Sequence, residues 1–178
     1  LHGMVDNLLN MARLQSGKVQ LKCEWQPLEE VIGASIHLLG NALSSHTVQV
    51  KVPASLPLVQ LDAVLIERVF CNLLENSAKY SPPHSTITLT AVVQGSLLEV
   101  KVSNAGEGFP AGAMDTLLEV FSRGHQESPV QGFGIGLSIC RSIIEAHGGS
   151  IVLINPPEGG ACVVFTLPLG TPPTIEPE

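Results

Sequence analysis

Two asparagines four residues apart raise the first chemical question. In Asn72-Leu-Leu-Glu-Asn76-Ser-Ala-Lys79-Tyr80 both amides fall on one helix face. The residues around them, Val69, Leu73, Leu74 and Ala78, are apolar. Asparagine is a middling helix former, so two stacked in such a segment need a reason. An amide oxygen can ligate Mg²⁺ and an amide NH₂ can donate to phosphate. Lys79, one turn further on, could add positive charge. Taken alone, the same residues read equally well as surface amides beside a solvated lysine. A second segment, Asn104-Ala-Gly106-Glu-Gly108-Phe-Pro110, follows a strand. Its glycines allow positive φ or close backbone approach to a ligand, although by itself it reads more readily as an ordinary strand-to-helix loop. A third, Gly132-Phe-Gly134-Ile-Gly136-Leu137-Ser138, opens a helix. Glycines at that place leave N–H groups and the positive dipole end free for a phosphate. No Gly-Lys-Ser/Thr occurs, which excludes a P-loop, and the Glu127–Gln131 stretch is too poor a strand for the dinucleotide fingerprint.

These segments need elements to hold them. Residues 1–16 show a helical stripe of Leu1, Val5, Leu8 and Ala12 that ends at Ser16-Gly17. Alternation predicts strands over 19–25 and 46–52, with a helix over 28–43 between them. Asp62 is a good N-cap for a long helix to Tyr80, which Ser81-Pro82-Pro83 ends. Residues 85–93 and 97–104 form a hairpin, 112–120 a short helix, and 122–133 a polar loop without periodicity. A helix from Gly134 stops at His147-Gly148-Gly149. Strands at 150–155 and 161–167 close a second hairpin, and a Pro/Thr/Glu-rich tail over 169–178 is expected to be disordered. This order predicts an α+β fold, a two-layer α/β sandwich with a mixed, mostly antiparallel sheet and helices on one face.

Composition agrees and excludes other classes. Of 178 residues, 44% are hydrophobic, 14% charged and 4% aromatic, which implies a largely aliphatic core. No apolar run approaches the roughly 18 residues of a membrane span. The sequence opens as if within a helix, without a signal-peptide pattern, so a piece of a longer protein is expected. Net charge is −7, and the nine basic residues do not cluster, which argues against nucleic acid. A net-negative chain that binds polyphosphate must use backbone N–H groups, a few cations and a divalent metal. Cys23, Cys71, Cys140 and Cys162 form no Cys-x-x-Cys pair and read as free thiols rather than a zinc site.

Taken in this order, the three segments resemble the N, G1 and G2 boxes of sensor histidine kinases, within the wider ATPase superfamily that includes gyrase, Hsp90 and MutL. Phe121, in Glu-Val-Phe121-Ser-Arg123-Gly, is similar to the intervening F box. Residues 1–18 resemble the end of the second dimerisation helix, the X region, and 19–168 resemble the catalytic ATP-binding domain with its Bergerat fold. The wording of the N and G2 boxes is nearer to the kinases than to gyrase or Hsp90, and nearest to the potassium-responsive kinases.

The resemblance implies ATP and Mg²⁺ as ligands. Asn72 and Asn76 would hold the metal and phosphates, Lys79 would reach phosphate, and Tyr80 would line the adenine pocket. Gly106 and Gly108 would shape the G1 loop. Gly132, Gly134 and Gly136 would wrap the phosphates, with Leu137 at the helix start. Residues 122–133 would form a lid whose cations are Arg123 and His125, a solvated lid face being the alternative. Phe121 fits a core-packed hinge anchor better than a ligand contact. The family's G1 aspartate accepts a hydrogen bond from the adenine amino group, but Asn104 stands there. A neutral acceptor implies a loss of about 1–2 kcal/mol, roughly tenfold or more in affinity. Its NH₂ could also loosen base selectivity.

None of the six histidines has the setting of the family's phosphoacceptor. His2 reads as an incidental helical residue, and His147, at a helix C-terminus, reads as structural in a place that favours a partly positive ring. The resemblance therefore implies a protein-histidine kinase domain that acts on a histidine outside this chain. Its partners would be the dimerisation helices of the same protein and a response regulator. Its place would be a cytoplasmic domain of a bacterial inner-membrane protein, touching the membrane only through other segments. The rival expectations are a regulatory module that binds nucleotide weakly because of Asn104, and a non-kinase ATPase, which the X region disfavours.

Overall fold

The computed structural model describes residues 20–119 and 136–173. The X-region segment therefore lies outside the described residues. Strand β1 is Glu24–Gln26, helix α1 is Leu28–Leu39, and a 3₁₀ turn follows at Gly40–Leu43. Strands β2 (Thr47–Lys51) and β3 (Val59–Leu61) lead into helix α2 (Ala63–Tyr80). The β4 (Thr86–Gln94) and β5 (Leu97–Asn104) hairpin precedes the one-turn α3 (Met114–Leu117). Helix α4 is described from Gly136 to Ala146, and β6 (Ser150–Ile154) pairs with β7 (Ala161–Pro168).

The main sheet has five strands in the order β2-β4-β5-β7-β6. Among the described residues only the β2/β4 pair is parallel. Pairing puts Leu89, Val102 and Val163 on one face, as it does Ala91, Val100 and Phe165, and all are buried. The opposite face carries Thr88, Thr90 and Lys101. The period-two alternation thus gives one apolar face, which helices cover. Helix α2 supplies Ile66, Val69, Phe70, Leu73 and Leu74, and α4 supplies Ile139, Ile143 and Ile144. The rings of Phe70 and Phe165 meet at 5.7 Å and 59°, the tilted geometry worth about 0.5–1.5 kcal/mol beyond burial. The expected layered architecture stands.

Several boundaries differ from expectation. The first strand is three residues long and pairs antiparallel with β3 in a separate two-stranded sheet. The helix expected to Leu43 changes to 3₁₀ after Leu39, where Gly40 takes φ 44°. The chain also stays attached beyond Pro168. The Leu169 N–H donates to Ser96 O at 2.8 Å, and Gly170 lies against the Trp25 ring.

Candidate functional site

Helix α2 starts at a cap that does more than begin a helix. Asp62 Oδ1 accepts the Leu65 N–H at 3.2 Å, as the sequence predicts, and Oδ2 accepts the Lys22 N–H at 3.0 Å. The Asp62 N–H donates to His147 Nε2 at 3.0 Å. A backbone N–H can only donate, so Nε2 must accept and Nδ1 must carry the ring proton. That proton points to Ile143 O, 2.8 Å away. The ring is therefore the neutral Nδ1–H tautomer, and the partly positive histidine expected from its place at a helix end is corrected. His147 ties the end of α4 to the start of α2.

Between those points the two helices pack closely enough for the buried Cys140 thiol to reach Val69 O at 3.8 Å. Burial pushes this thiol up to about 12, against an opposing pull from the Asn72 amide. The Asn72 Nδ2 nonetheless makes no acceptable hydrogen bond. Asn76 Nδ2, one turn on, is likewise buried without a partner. An orphaned buried donor costs about 1–3 kcal/mol. Here two of them share a helix face beside the start of α4, where a Cβ on Gly136 would stand 3.8 Å from Asn72 Cβ and Cγ. Leu137, the next residue, is buried under the same site.

This donor set fits a phosphate, because each Nδ2 can donate to a phosphate oxygen. It also fits Mg²⁺, because the amide oxygens are hard neutral ligands. Among the described residues no group of three or more His, Cys, Asp or Glu could hold a metal. A magnesium ion here would therefore rely on amide oxygens, phosphate oxygens and water, its usual company in nucleotide sites.

The other end of the cleft is built by β5 and the loop after it. A small cleft of about 20 Å³, room for about one water, lies between α2, α4, β5 and β7. Leu73, Leu137, Ala161 and Val163 give it apolar walls, while Asn76, Tyr80 and Asn104 bring polar atoms. Asn104 is the last residue of β5, opposite Ile87 and Ala161. Its Nδ2 donates to Ala105 O at 2.7 Å. The reversed amide would set oxygen against oxygen, so Oδ1 is the atom left to accept from a ligand. The second N–H of the amide is not used by that bond, so a donor stays available beside the acceptor.

Gly106 packs against Tyr80 O, to which a Cβ would come within 3.0 Å. Gly108 lines the cleft at φ 83°, and a Cβ there would lie 2.7 Å from both Asn155 Oδ1 and Gly160 O. Lys79 is exposed on the last turn of α2, with Nζ 5.5 Å from the centre of the Tyr80 ring. Phe121, Arg123, His125, Gly132 and Gly134 lie outside the described residues.

The β6–β7 turn belongs to this site, and no sequence signal announces it. Asn155 Oδ1 accepts the Phe109 N–H at 2.8 Å, and its Nδ2 donates to Phe109 O at 2.9 Å. The Gly160 N–H donates to Gly106 O at 3.1 Å. Gly160 takes φ 81°, and a Cβ there would stand 2.0 Å from Asn104 O. The Pro-Pro-Glu-Gly-Gly signal marks a turn, but nothing local shows what that turn holds.

The sequence profile of the family described as histidine kinase-, DNA gyrase B-, and HSP90-like ATPase matches residues 61–171. The chain is similar to the sensor protein KdpD of Escherichia coli K12, at 46% identity over 173 residues, which is 97% of this chain and 19% of that protein. It thus spans about a fifth of that relative's length. Among solved structures, full-length ShkA in complex with AMPPNP superposes with a TM-score of 0.81 at 21% identity, covering 96% of this chain and 36% of that one. The nucleotide-free catalytic domain of the histidine kinase ThkA gives a TM-score of 0.72 at 25% identity, covering 83% and 95%. With the matched profile spanning the cap at Asp62, both buried amides, the β5 loop and the β6–β7 turn, the chain belongs to the histidine kinase-, DNA gyrase B- and HSP90-like ATPase family.

Proposed function

We propose that this chain is the ATP-binding catalytic domain of a two-component sensor histidine kinase. It binds ATP with Mg²⁺ and transfers the γ-phosphate to a histidine on dimerisation helices outside this chain. From there the phosphate passes to a response regulator. The observation that carries the reading is the pair of buried, unpartnered Nδ2 atoms of Asn72 and Asn76 beside the α4 N-terminus. Phosphate oxygens supply the acceptors these donors lack. The Asn104 oxygen receives the amino group of adenine, and the apolar walls hold the ring. Tyr80 and Leu137 flank the base, Lys79 reaches the phosphates, and Gly132, Gly134 and Gly136 wrap them, with Arg123 and Phe121 serving the lid and its hinge.

Bound Mg²⁺ supplies charge neutralisation on the phosphates. The chain contributes positioning and fixed donors, the two largest sources of rate in phosphoryl transfer. The similarity to KdpD supports a potassium-responsive setting and a cytoplasmic domain attached to the inner membrane through other segments. No helix among the described residues is long and apolar enough to cross a membrane.

Calorimetric titration with ATP and Mg²⁺ tests the reading, and absence of binding at millimolar ATP refutes it. A longer protein that includes the dimerisation helices should then show acid-labile, base-stable phosphorylation. The neutral Asn104 favours a second reading, a regulatory module that binds nucleotide weakly without transfer. Asn104→Asp separates the two readings. A carboxylate at this place should tighten ATP by roughly tenfold or more, and unchanged affinity counts against the adenine contact.

A further inference from the structure

Asn155 lies outside the helices that carry the buried amides, yet its side chain makes a complete two-bond pairing with one residue's backbone. Its oxygen takes the Phe109 N–H and its NH₂ gives to Phe109 O, at 2.8 and 2.9 Å. A backbone residue offers one donor and one acceptor, and an amide side chain is the group that can satisfy both at once. The pairing spans 46 residues of sequence and fastens the loop after β5 to the β6–β7 turn. Two glycines permit the contact. Gly108 accommodates Asn155 Oδ1 where a Cβ would stand at 2.7 Å, and Gly160 passes the Asn104 carbonyl where a Cβ would stand at 2.0 Å. The fastened loop is the wall that presents Asn104, Gly108 and Phe109 to the cleft.

We infer that Asn155 is a positioning residue for the base end of the nucleotide cleft, acting through the Phe109 backbone to set the distance between Asn104 and helix α2. The inference rests on the nucleotide reading above. Two variants distinguish pairing from simple filling of space. Asn155→Ala removes both bonds. Asn155→Asp keeps the shape and the acceptor but replaces the donor with an oxygen that repels Phe109 O. Both should weaken Mg-ATP binding to the 178-residue chain about tenfold and speed hydrogen exchange at the Phe109 amide, with the thermal midpoint lowered by several degrees. Asn155→Asp that binds as tightly as the wild type overturns the inference, because space-filling then suffices. Unchanged affinity in Asn155→Ala overturns it too. Failure of the wild-type chain to bind Mg-ATP overturns the nucleotide reading itself, and the inference with it.

Discussion

Asn76→Leu should make the free protein more stable and the nucleotide-bound protein less so. The substitution keeps the number of side-chain heavy atoms and the branch at Cγ. It removes an amide whose Nδ2 is buried without a partner. Relief of an orphaned donor is worth about 1–3 kcal/mol, and the half-buried side chain belongs at the low end, near 1 kcal/mol. Leucine also exceeds asparagine in helix propensity by a few tenths of a kcal/mol. A sum of about 1.4 kcal/mol raises the midpoint of a domain this size by roughly 3–6 °C. Nucleotide acts in the opposite direction. At a hundredfold excess over its dissociation constant, ATP stabilises the wild type by about 2.7 kcal/mol, roughly 5–10 °C. The variant should lose that shift, because a leucine side chain can neither donate to phosphate nor ligate Mg²⁺. Thermal unfolding followed by circular dichroism, with and without Mg-ATP, should therefore give melting curves whose order reverses. A variant that melts below the wild type without nucleotide refutes the view of Asn76 as an unsatisfied group, and a variant that keeps the full ATP shift refutes its role in binding.

Other perturbations probe the supports. Gly160→Ala would drive a Cβ to within 2.0 Å of Asn104 O at a backbone φ of 81°. It should cost about 1–3 kcal/mol in urea unfolding and weaken Mg-ATP in parallel titrations. His147→Ala strips the acceptor from the Asp62 N–H and should lower stability by about 1–3 kcal/mol, read from the urea midpoint at constant slope. Alkaline pH should destabilise through Cys140. The folded thiol holds its proton to about 12, whereas the unfolded one releases it near 9.0. Between these values the unfolded state binds fewer protons, so stability present below pH 9 falls by about 1 kcal/mol per pH unit as pH rises. Unfolding curves at about pH 8, 9 and 10 should show this slope reduced in Cys140→Ala.

What the sequence disclosed was what local signals encode. The Asp62 cap, the length of α2, both hairpins and the one-faced core follow from capping and periodicity, and all appear in the fold. Strand β3 was missed because Val59-Gln60-Leu61, between Pro57 and Asp62, is too short to display alternation. It is a strand only because β1 pairs with it. The parallel pairing of β2 with β4 is likewise a tertiary fact. Within the site, Asn72 and Asn76 stood out because polar residues in an apolar helix break a pattern. Asn155 broke none, being an ordinary turn residue whose partner is 46 positions away. The His147–Asp62 link spans 85 residues and was equally silent. Residue types that fit their local element carry no visible mark when their function is to hold something distant.

The two silent residues divide the supports of the site between them. On the nucleotide reading proposed above, His147 braces the phosphate end by tying the last turn of α4 to the first peptide of α2, so that Gly136, the first described residue of α4, keeps its place over Asn72. The described part of helix α4 has 11 residues, a rod of about 16 Å that carries a shift at one end to the other. Asn155 braces the base end through a loop and a turn that share no residue with that helix pair. The two supports meet helix α2 at opposite ends, at Asp62 and at Tyr80, and sites that far apart act nearly additively. On that reading a disturbance at Asn155 should fall on the contacts to the base, and one at His147 on the contacts to phosphate. The neutral Asn104, already the weaker acceptor, depends most on its brace. An Asn104 oxygen held in place can still contribute a useful hydrogen bond, whereas one on a loosened loop must also offset the entropy of ordering that loop.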